Sequence, residues 1–253
     1  ALMTKYDALP LAKRRALSVG AVKAGATYGQ KTDAWSVKMF RDQNEYIEKR
    51  DKNKKRKAEI AAWPKKGYAA IKQATREQRK RITHVLKEKP SLKNLYPYTV
   101  YMLFKLYSEI PFRNTFSDLN LRDKSKNFVN IPKKGVITLQ MKQYKNAKQL
   151  GETEIKLSRG ATIQLKKFIR YREGLVDHDW LFSGRGGGKL TRPALGKLLH
   201  RTTKQLLGTS FGSRLIRVLA ATASKEDIDK VTELSKKMLH TTKQTKQYTR
   251  KES

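Results

Sequence analysis

Cysteine is absent from this sequence of 253 residues. Without a thiol, the chain can form neither a disulfide framework nor a thiolate metal site. Long apolar runs are missing too: no stretch approaches the ~18 consecutive apolar residues of a membrane span, and the first residues lack the apolar core of a signal peptide. We therefore expect a soluble intracellular protein, nuclear or virus-associated in a eukaryotic host and otherwise in the cytoplasm or nucleoid.

Acidic residues are scarce. The chain has 22 Asp and Glu residues against 57 Lys and Arg residues, which gives a formal net charge of +35. This excess is far larger than solubility requires and indicates a polyanionic partner, in practice nucleic acid. Basic residues outnumber acidic ones both before and after Leu95. A basic tail on a neutral domain is therefore excluded, and we expect both halves of the chain to face phosphate.

The first 89 residues have the pattern of a basic helical domain. Apolar residues recur at helical spacing between Asp33 and Trp63, interrupted by the charge run E-K-R-D-K-N-K-K-R-K. This run has two interpretations, a solvated helix face or a series of contacts with DNA phosphates. Residues 90–97 contain two prolines and are predicted to be an interdomain linker. The basic side chains that we single out for DNA contact here are Lys54, Lys55, Arg56, Lys57, Arg79 and Arg81.

Residues 98–253 are predicted to form a second domain. Thr99 to Ser108 is apolar nearly all round, which is typical of a buried helix. Three strand-like runs follow, at residues 128–131, 136–141 and 153–157. The pattern therefore favours a mainly α-helical fold with a small antiparallel sheet.

The stretch from Phe211 to Arg250 carries the residue types that phosphodiester chemistry needs. Arg214 and Arg217 begin an apolar segment, and His240 and Tyr248 lie near the end of the sequence. Arginine offers a permanently charged planar fork that matches phosphate oxygens. Tyrosine can act as a nucleophile that becomes a phosphoester.

This stretch resembles the C-terminal half of the tyrosine recombinases, the phage-integrase-like enzymes that exchange DNA strands. Their pattern is H-x-x-R, then a small apolar helix, L-G-H-S, and a tyrosine about one helical segment later. Arg217 takes the arginine place, Leu239-His240-Thr241 matches the L-x-H-S/T step, and Tyr248 takes the nucleophile place, one residue closer to His240 than the family pattern has it. Arg214 stands where the family usually has histidine. A basic residue at this position resembles the pattern of the related type IB topoisomerases.

The resemblance extends upstream to about Tyr98. The segment I-P-F-R-N-T-F-S-D-L-N-L is similar to the family's T-G-L-R-x-x-E-L step and gives Arg113 the place of the first catalytic arginine; Phe116 occupies the place of the usual acid. The segment Q-M-K-Q-Y-K-N-A-K-Q-L-G is similar to a family hairpin that carries a lysine into the minor groove. Lys145 aligns best with that lysine, and the neighbouring Lys142 and Lys148 are rivals and expected DNA contacts.

The resemblance implies a C-shaped two-domain clamp around double-stranded DNA and a reaction that needs no metal, cofactor or ATP. Tyr248 would attack the phosphorus and form a 3′-phosphotyrosine. Arg113 and Arg217 would bind the non-bridging oxygens, with Arg214 as a further donor. Lys145 would protonate the departing 5′-oxygen, and His240 would bind a phosphate oxygen or take the tyrosine proton.

Three functions are compatible with these residues. The first is an integrase or site-specific recombinase of a mobile element or virus, acting as a homo-multimer on paired DNA sites, with no membrane and no small-molecule substrate. The second is a type IB topoisomerase-like enzyme that relaxes DNA, and the third is a non-catalytic DNA-binding relative. Taken singly, each residue also has an ordinary explanation: a backbone contact for the arginines, a structural role for His240, and one of eleven tyrosines for Tyr248.

Overall fold

The structure is a computed structural model that describes residues 5–49, 55–224, 227–246 and 248–250. The chain divides into two compact units, Ala1–Lys54 and Lys55–Ser253. None of the helices in these described ranges is both long enough and apolar enough to cross a membrane.

In the described part of the first unit, helix α1 (Leu11–Thr27) packs against helix α2 (Asp33–Lys49). Its centre is polar as well as aromatic. The buried Tyr6 hydroxyl donates to the buried Asp42 carboxylate, and the Tyr6 ring meets Trp35 edge to face at 5.4 Å. Arg14 forms an ion pair with Glu45 at 2.5 Å. A unit of this size has little apolar core, so these buried polar contacts replace part of it.

The second unit begins with three helices, α3 (Lys57–Ala62), α4 (Ala69–Val85) and α5 (Leu92–Tyr107). The packing of α4 against α5 is extensive. The α5 helix is buried on nearly every side, as its all-round apolar sequence predicts. The Ser91 hydroxyl caps its first turn by accepting from the Asn94 amide at 3.3 Å.

The predicted linker differs from the structure. Residues 92–97 form the first turns of α5, and Pro97 lies inside this helix. The helix continues because proline removes a single backbone donor near its start, while Ser91 caps the beginning and the following residues are buried. The division between the compact units falls at Lys54–Lys55 rather than at residues 90–97. The assignment of residues 1–89 as one DNA-binding domain therefore stays a prediction.

A short 3₁₀ helix (Asn114–Asp118) follows α5 and is held by aromatic packing. Phe112 and Phe116 are fully buried with ring centroids 4.9 Å apart, and Phe116 also meets Tyr107 edge to face at 4.8 Å. The Tyr107 hydroxyl donates to the Arg113 carbonyl at 3.0 Å. The backbone on both sides of Arg113 is thus fixed to the core.

The sheet contains three antiparallel strands in the order β1 (Phe128–Asn130), β2 (Thr138–Met141) and β3 (Thr153–Lys156). Val129 faces Leu139, which in turn faces Ile155. These three apolar side chains are buried on one face. Each strand lies within one of the three runs expected from the sequence. The predicted class, mainly helical with a small antiparallel sheet, is confirmed.

The remaining helices of the second unit surround α5 and the sheet. The α5 helix packs against α7, α8 contacts both the 3₁₀ helix and α4, and α10 contacts α9, α11 and β3. Their bounds are α6 (Ala147–Leu150), α7 (Arg159–Arg172), α8 (Arg192–Leu207), α9 (Ser213–Ala223), α10 (Ile228–Met238) and α11 (Thr242–Lys246).

Replacing Phe116 with alanine should lower the free energy of unfolding by about 3–5 kcal/mol, because the change leaves a cavity beside the buried rings of Phe112 and Tyr107. Urea unfolding followed by circular dichroism measures this loss. The control is Ile163→Ala, at a side chain that is 53% exposed; it should change the free energy by less than about 0.5 kcal/mol. Equal losses in the two variants would contradict this account of the core.

Candidate active site

Arg217 lies at the centre of the candidate site. It is in the middle of α9, whose apolar side chains are buried, and only 4% of Arg217 is exposed. Its Nη1 donates to the Tyr248 hydroxyl at 2.8 Å, and its guanidinium carbon lies 4.8 Å from the centre of the Tyr248 ring. Its Nε is buried without a hydrogen-bond partner in the described part of the chain. The arginine therefore has donor capacity to spare.

Arg113 contributes a second positive charge to the same region. Burial lowers the pKa of Arg217, the neighbouring Tyr248 opposes this shift, and the charge of Arg113 adds to the lowering. Among the described residues, neither arginine forms an ion pair with a carboxylate. Two cations without an anion repel each other, and an incoming anion would relieve that repulsion.

His240 stacks on Tyr248 with ring centroids 5.2 Å apart and an interplanar angle of 19°. It is 5% exposed, and its Nδ1 has no hydrogen-bond partner among the described residues. Burial lowers the pKa of His240 to about 4, and the charges of Arg217, Arg113 and Lys145 add to this shift. The imidazole is therefore neutral at neutral pH.

An unusual backbone conformation places His240. The preceding residue, Leu239, ends α10 with φ 55° and ψ 48°, the left-handed region that glycine favours. The His240 amide closes the end of the helix by donating to the Ser235 carbonyl at 3.0 Å. This left-handed turn directs the chain from α10 into the segment that carries Tyr248.

The turn between β2 and β3 brings Lys145 to the site. Arg113, Lys145 and His240 line one small cleft, together with Phe112, Thr115, Tyr144, Asn146, Met238 and Leu239. Asn146 ties the turn to the histidine segment, because its side-chain amide donates to the Leu239 carbonyl at 3.0 Å and to the Gln244 side chain at 3.2 Å. No sequence pattern indicated Asn146; its role depends on a contact between segments about a hundred residues apart.

Arg214 does not line this cleft. Its side chain is 57% exposed, and its Nη2 lies 3.8 Å from the Glu59 carboxylate. Arg214 and Glu59 line a separate cavity of about 450 Å³, which also includes Asn114 and His200. The structure therefore gathers five of the six predicted catalytic residues and places the sixth beside a carboxylate.

The residues predicted to contact DNA lie in several places. Lys142 is paired with Glu152 at 3.3 Å, whereas Lys148 is exposed on α6. Lys55 lies over the Trp63 ring at 4.7 Å, and Arg56 and Lys57 begin α3. Lys54 lies outside the described residues.

Arg79 and Arg81 are exposed on α4, which borders two large cavities. Arg81 lines one of about 920 Å³, where Arg185 and Arg201 flank the Tyr96 ring at 5.1 and 5.8 Å. Arg79 lines the other, of about 850 Å³. Sequence reasoning did not single out Arg185 or Arg201, because the chain has many basic residues and nothing local distinguishes these two.

Comparisons with known proteins agree with this arrangement at the level of the fold. No protein-family model matches the sequence, and no curated protein sequence matches it either. A crystal structure of XerA recombinase is similar to this chain with a TM-score of 0.54 and 10% identity, over 91% of this chain and 75% of that one. XerH site-specific recombinase, bound to its difH substrate in a pre-cleavage complex, is similar with a TM-score of 0.50 and 17% identity, over 74% of this chain and 49% of that one.

These similarities define the class of fold. The chain has the tyrosine-recombinase fold, with the small antiparallel sheet set among helices. The predicted clamp and the roles of individual residues stay proposals.

The pKa of His240 provides a test of the site's electrostatics. NMR titration of the imidazole should give a midpoint near 4, and Lys145→Gln should raise it, because one nearby positive charge is removed. Lys148→Gln is the matched control, since Lys148 lies on the same turn but is not among the charges that shift His240. An equal response to both variants would contradict the placement of Lys145. Because an unfolded histidine takes up its proton near pH 6.5, the stability that neutral His240 contributes should be lost as pH falls from about 6.5 to 4.

Proposed function

We propose that this chain cuts and rejoins DNA strands as an integrase or site-specific recombinase, with Tyr248 as the nucleophile. The observation that carries the proposal is the contact of the Tyr248 hydroxyl with the buried Arg217, beside the stacked His240 ring. This contact brings a phenol and a cation together, and phosphoryl transfer by a tyrosine nucleophile needs both groups at one phosphorus atom.

In the proposed reaction the Tyr248 oxygen bonds to the phosphorus of the DNA backbone as the bond from phosphorus to the 5′-oxygen breaks. The products are a 3′-phosphotyrosine and a free 5′-hydroxyl. The phosphoester is preserved, so attack by a 5′-hydroxyl reverses the step and reseals a strand without ATP. The bound phosphate brings negative charge beside His240 and raises its pKa toward the usual value, which allows the imidazole to take the tyrosine proton.

Arg217 and Arg113 stabilise the transition state in this proposal. Arg217 offers its unpaired Nε to a non-bridging oxygen, and Arg113 offers a guanidinium without a carboxylate partner among the described residues. Charges that are already in position stabilise the developing negative charge without reorganisation at the moment of reaction. Arg214 is a further donor once it moves from Glu59 to the phosphate.

Lys145 is the proposed general acid. It lies in the same cleft as Arg113 and His240 and gives a proton to the departing 5′-oxygen. An ammonium group on a flexible stem suits this transfer better than a guanidinium, which does not lose its proton in proteins.

Double-stranded DNA is the proposed partner, bound as a homo-multimer on paired sites. The charge of +35, the exposed arginines of α4 and the basic cavity around Tyr96 support contact with phosphates. The XerH recombinase that shares this fold was solved with its DNA substrate.

A second candidate is a type IB topoisomerase-like activity, favoured by the arginine at position 214. It predicts relaxation of supercoiled plasmid by a monomer without strand exchange. Strand exchange between two duplexes would favour the recombinase.

Tyr248→Phe should abolish covalent capture of DNA. Wild-type protein is incubated with a pool of nicked duplexes, randomised around the nick, and a protein-linked band is sought on a denaturing gel. Tyr144→Phe is the matched control, because Tyr144 is a phenol that lines the cleft of Lys145 and His240, and it should keep the band. A band that persists in Tyr248→Phe would identify a different nucleophile, and DNA binding without a band in the wild type would favour the non-catalytic relative.

Lys145→Ala should slow adduct formation by about 10²–10⁴-fold, the usual contribution of a positioned proton donor. A substrate whose 5′-oxygen is replaced by sulfur should restore the rate, because a thiolate leaves without being protonated. Lys142→Ala and Lys148→Ala should retain at least about a tenth of the wild-type rate. A loss in Lys145→Ala that sulfur does not restore would rule out the general-acid role.

A further inference from the structure

The segment that follows Tyr248 is anchored to the start of the second unit by a buried ion pair. Arg250 Nε donates to Glu59 Oε2 at 2.9 Å, and Arg250 Nη2 donates to Glu59 Oε1 at 3.1 Å. The exposed fractions are 3% for Arg250 and 8% for Glu59. Planar groups joined through two parallel bonds form one of the stronger side-chain contacts in proteins.

The same segment is also fixed to α9. The Arg250 amide donates to the Thr222 hydroxyl oxygen at 3.1 Å, and the Thr222 hydroxyl donates to the Val218 carbonyl at 2.8 Å. Arg217 lies little more than one helical turn before Thr222. The α9 helix thus binds the Tyr248 hydroxyl through Arg217 and the Arg250 backbone through Thr222.

Glu59 is suited to remain charged in this place. Burial raises the pKa of its carboxyl group, but hydrogen bonds from Arg250 and from the Arg56 amide outweigh burial and lower the pKa overall. Without Arg250, the buried carboxylate would keep, within the described part of the chain, only the hydrogen bond from the Arg56 amide. A buried carboxylate without its cation is unfavourable, so the ion pair opposes movement of residues 248–250 away from Glu59.

We propose that Glu59 is a positioning residue that holds the Tyr248 segment in the active site of its own chain by binding Arg250. The catalytic part of this inference rests on the proposed function of Tyr248; the anchoring part does not. Glu59 touches neither the phenol nor the cleft. It acts by restricting the backbone that carries the phenol, since small displacements of a reacting group cost much of its rate.

Glu59 also connects this anchor to Arg214, whose Nη2 lies 3.8 Å from Glu59 Oε1. While Arg250 occupies both carboxylate oxygens, Arg214 is left beyond hydrogen-bonding distance from Glu59, and its side chain is 57% exposed. If Arg250 left Glu59, Arg214 would remain beside the carboxylate and would form a closer ion pair with it. When Arg250 is bound to Glu59, the Arg214 side chain is therefore free to turn toward a DNA phosphate.

Glu59→Gln tests the anchor, because glutamine keeps the size of the side chain and removes the charge. Two measurements are compared with wild type: deuterium uptake at residues 248–250 and the rate of covalent capture of nicked DNA. We expect uptake to rise in this segment alone, capture to slow by about 10²-fold, and DNA affinity to stay within about twofold. Glu77→Gln is the matched control, as Glu77 forms an exposed ion pair with Lys80 and its loss should change neither quantity.

Two further variants keep the test decisive. The double variant Glu59→Gln/Arg250→Gln should be no slower than the slower single variant, because both changes remove one interaction. Thr222→Val removes the second anchor and should also raise uptake at residues 248–250. Unchanged uptake at this segment in Glu59→Gln would overturn the proposal, and a rise in Thr222→Val alone would assign the anchoring to Thr222. Raised uptake together with no capture by the wild type would support the anchor and would count against Tyr248 as the nucleophile.

Discussion

Arg217 lies in the interior of the second unit with its guanidinium facing a phenol rather than a carboxylate. A buried charge normally requires an opposite charge close by. Here the partner is a tyrosine hydroxyl, and the described charges that act on Arg217 include another arginine. The protein therefore holds an unbalanced positive charge at a fixed place. The packing of α9, the turn at Lys145 and the path of residues 248–250 keep that charge and its neighbours together.

This arrangement is assembled from four distant segments, and the described contacts fix the backbone of each one. Buried aromatic rings hold the backbone of Arg113, and Asn146 ties the sheet turn to the end of α10. Each cationic group therefore has its own support, which means that moving one side chain need not displace the others. Preorganised charges of this kind are effective because their orientation is set before the substrate arrives.

Local patterns in the sequence predicted the parts of this structure that depend on neighbouring residues. The all-round apolar helix, the three strands and the order of the cationic residues were accessible in that way. Pro97 was misleading, because a proline suggests a break, whereas the cap at Ser91 and the burial of the following residues keep the helix intact. The pairing of Glu59 with Arg250 spans 191 positions, and no local pattern carries such information. The place of Arg214 was also beyond prediction, since it is set by the same carboxylate.

Leu239 turns the chain in a conformation that side chains with a Cβ atom rarely adopt. The pattern L-G-H-S has glycine immediately before the histidine. Leu239 directly precedes His240, so the match to the L-x-H-S/T step lacks the intervening residue and leucine stands in the place of the glycine. A leucine in the left-handed region carries a backbone cost of about 1–2 kcal/mol, offset here by its burial against the core. Substitution at this position trades one cost for the other: β-branched replacements would worsen the backbone cost, whereas glycine would remove that cost and forfeit the packing. The geometry of the histidine thus depends on a compromise between backbone strain and burial.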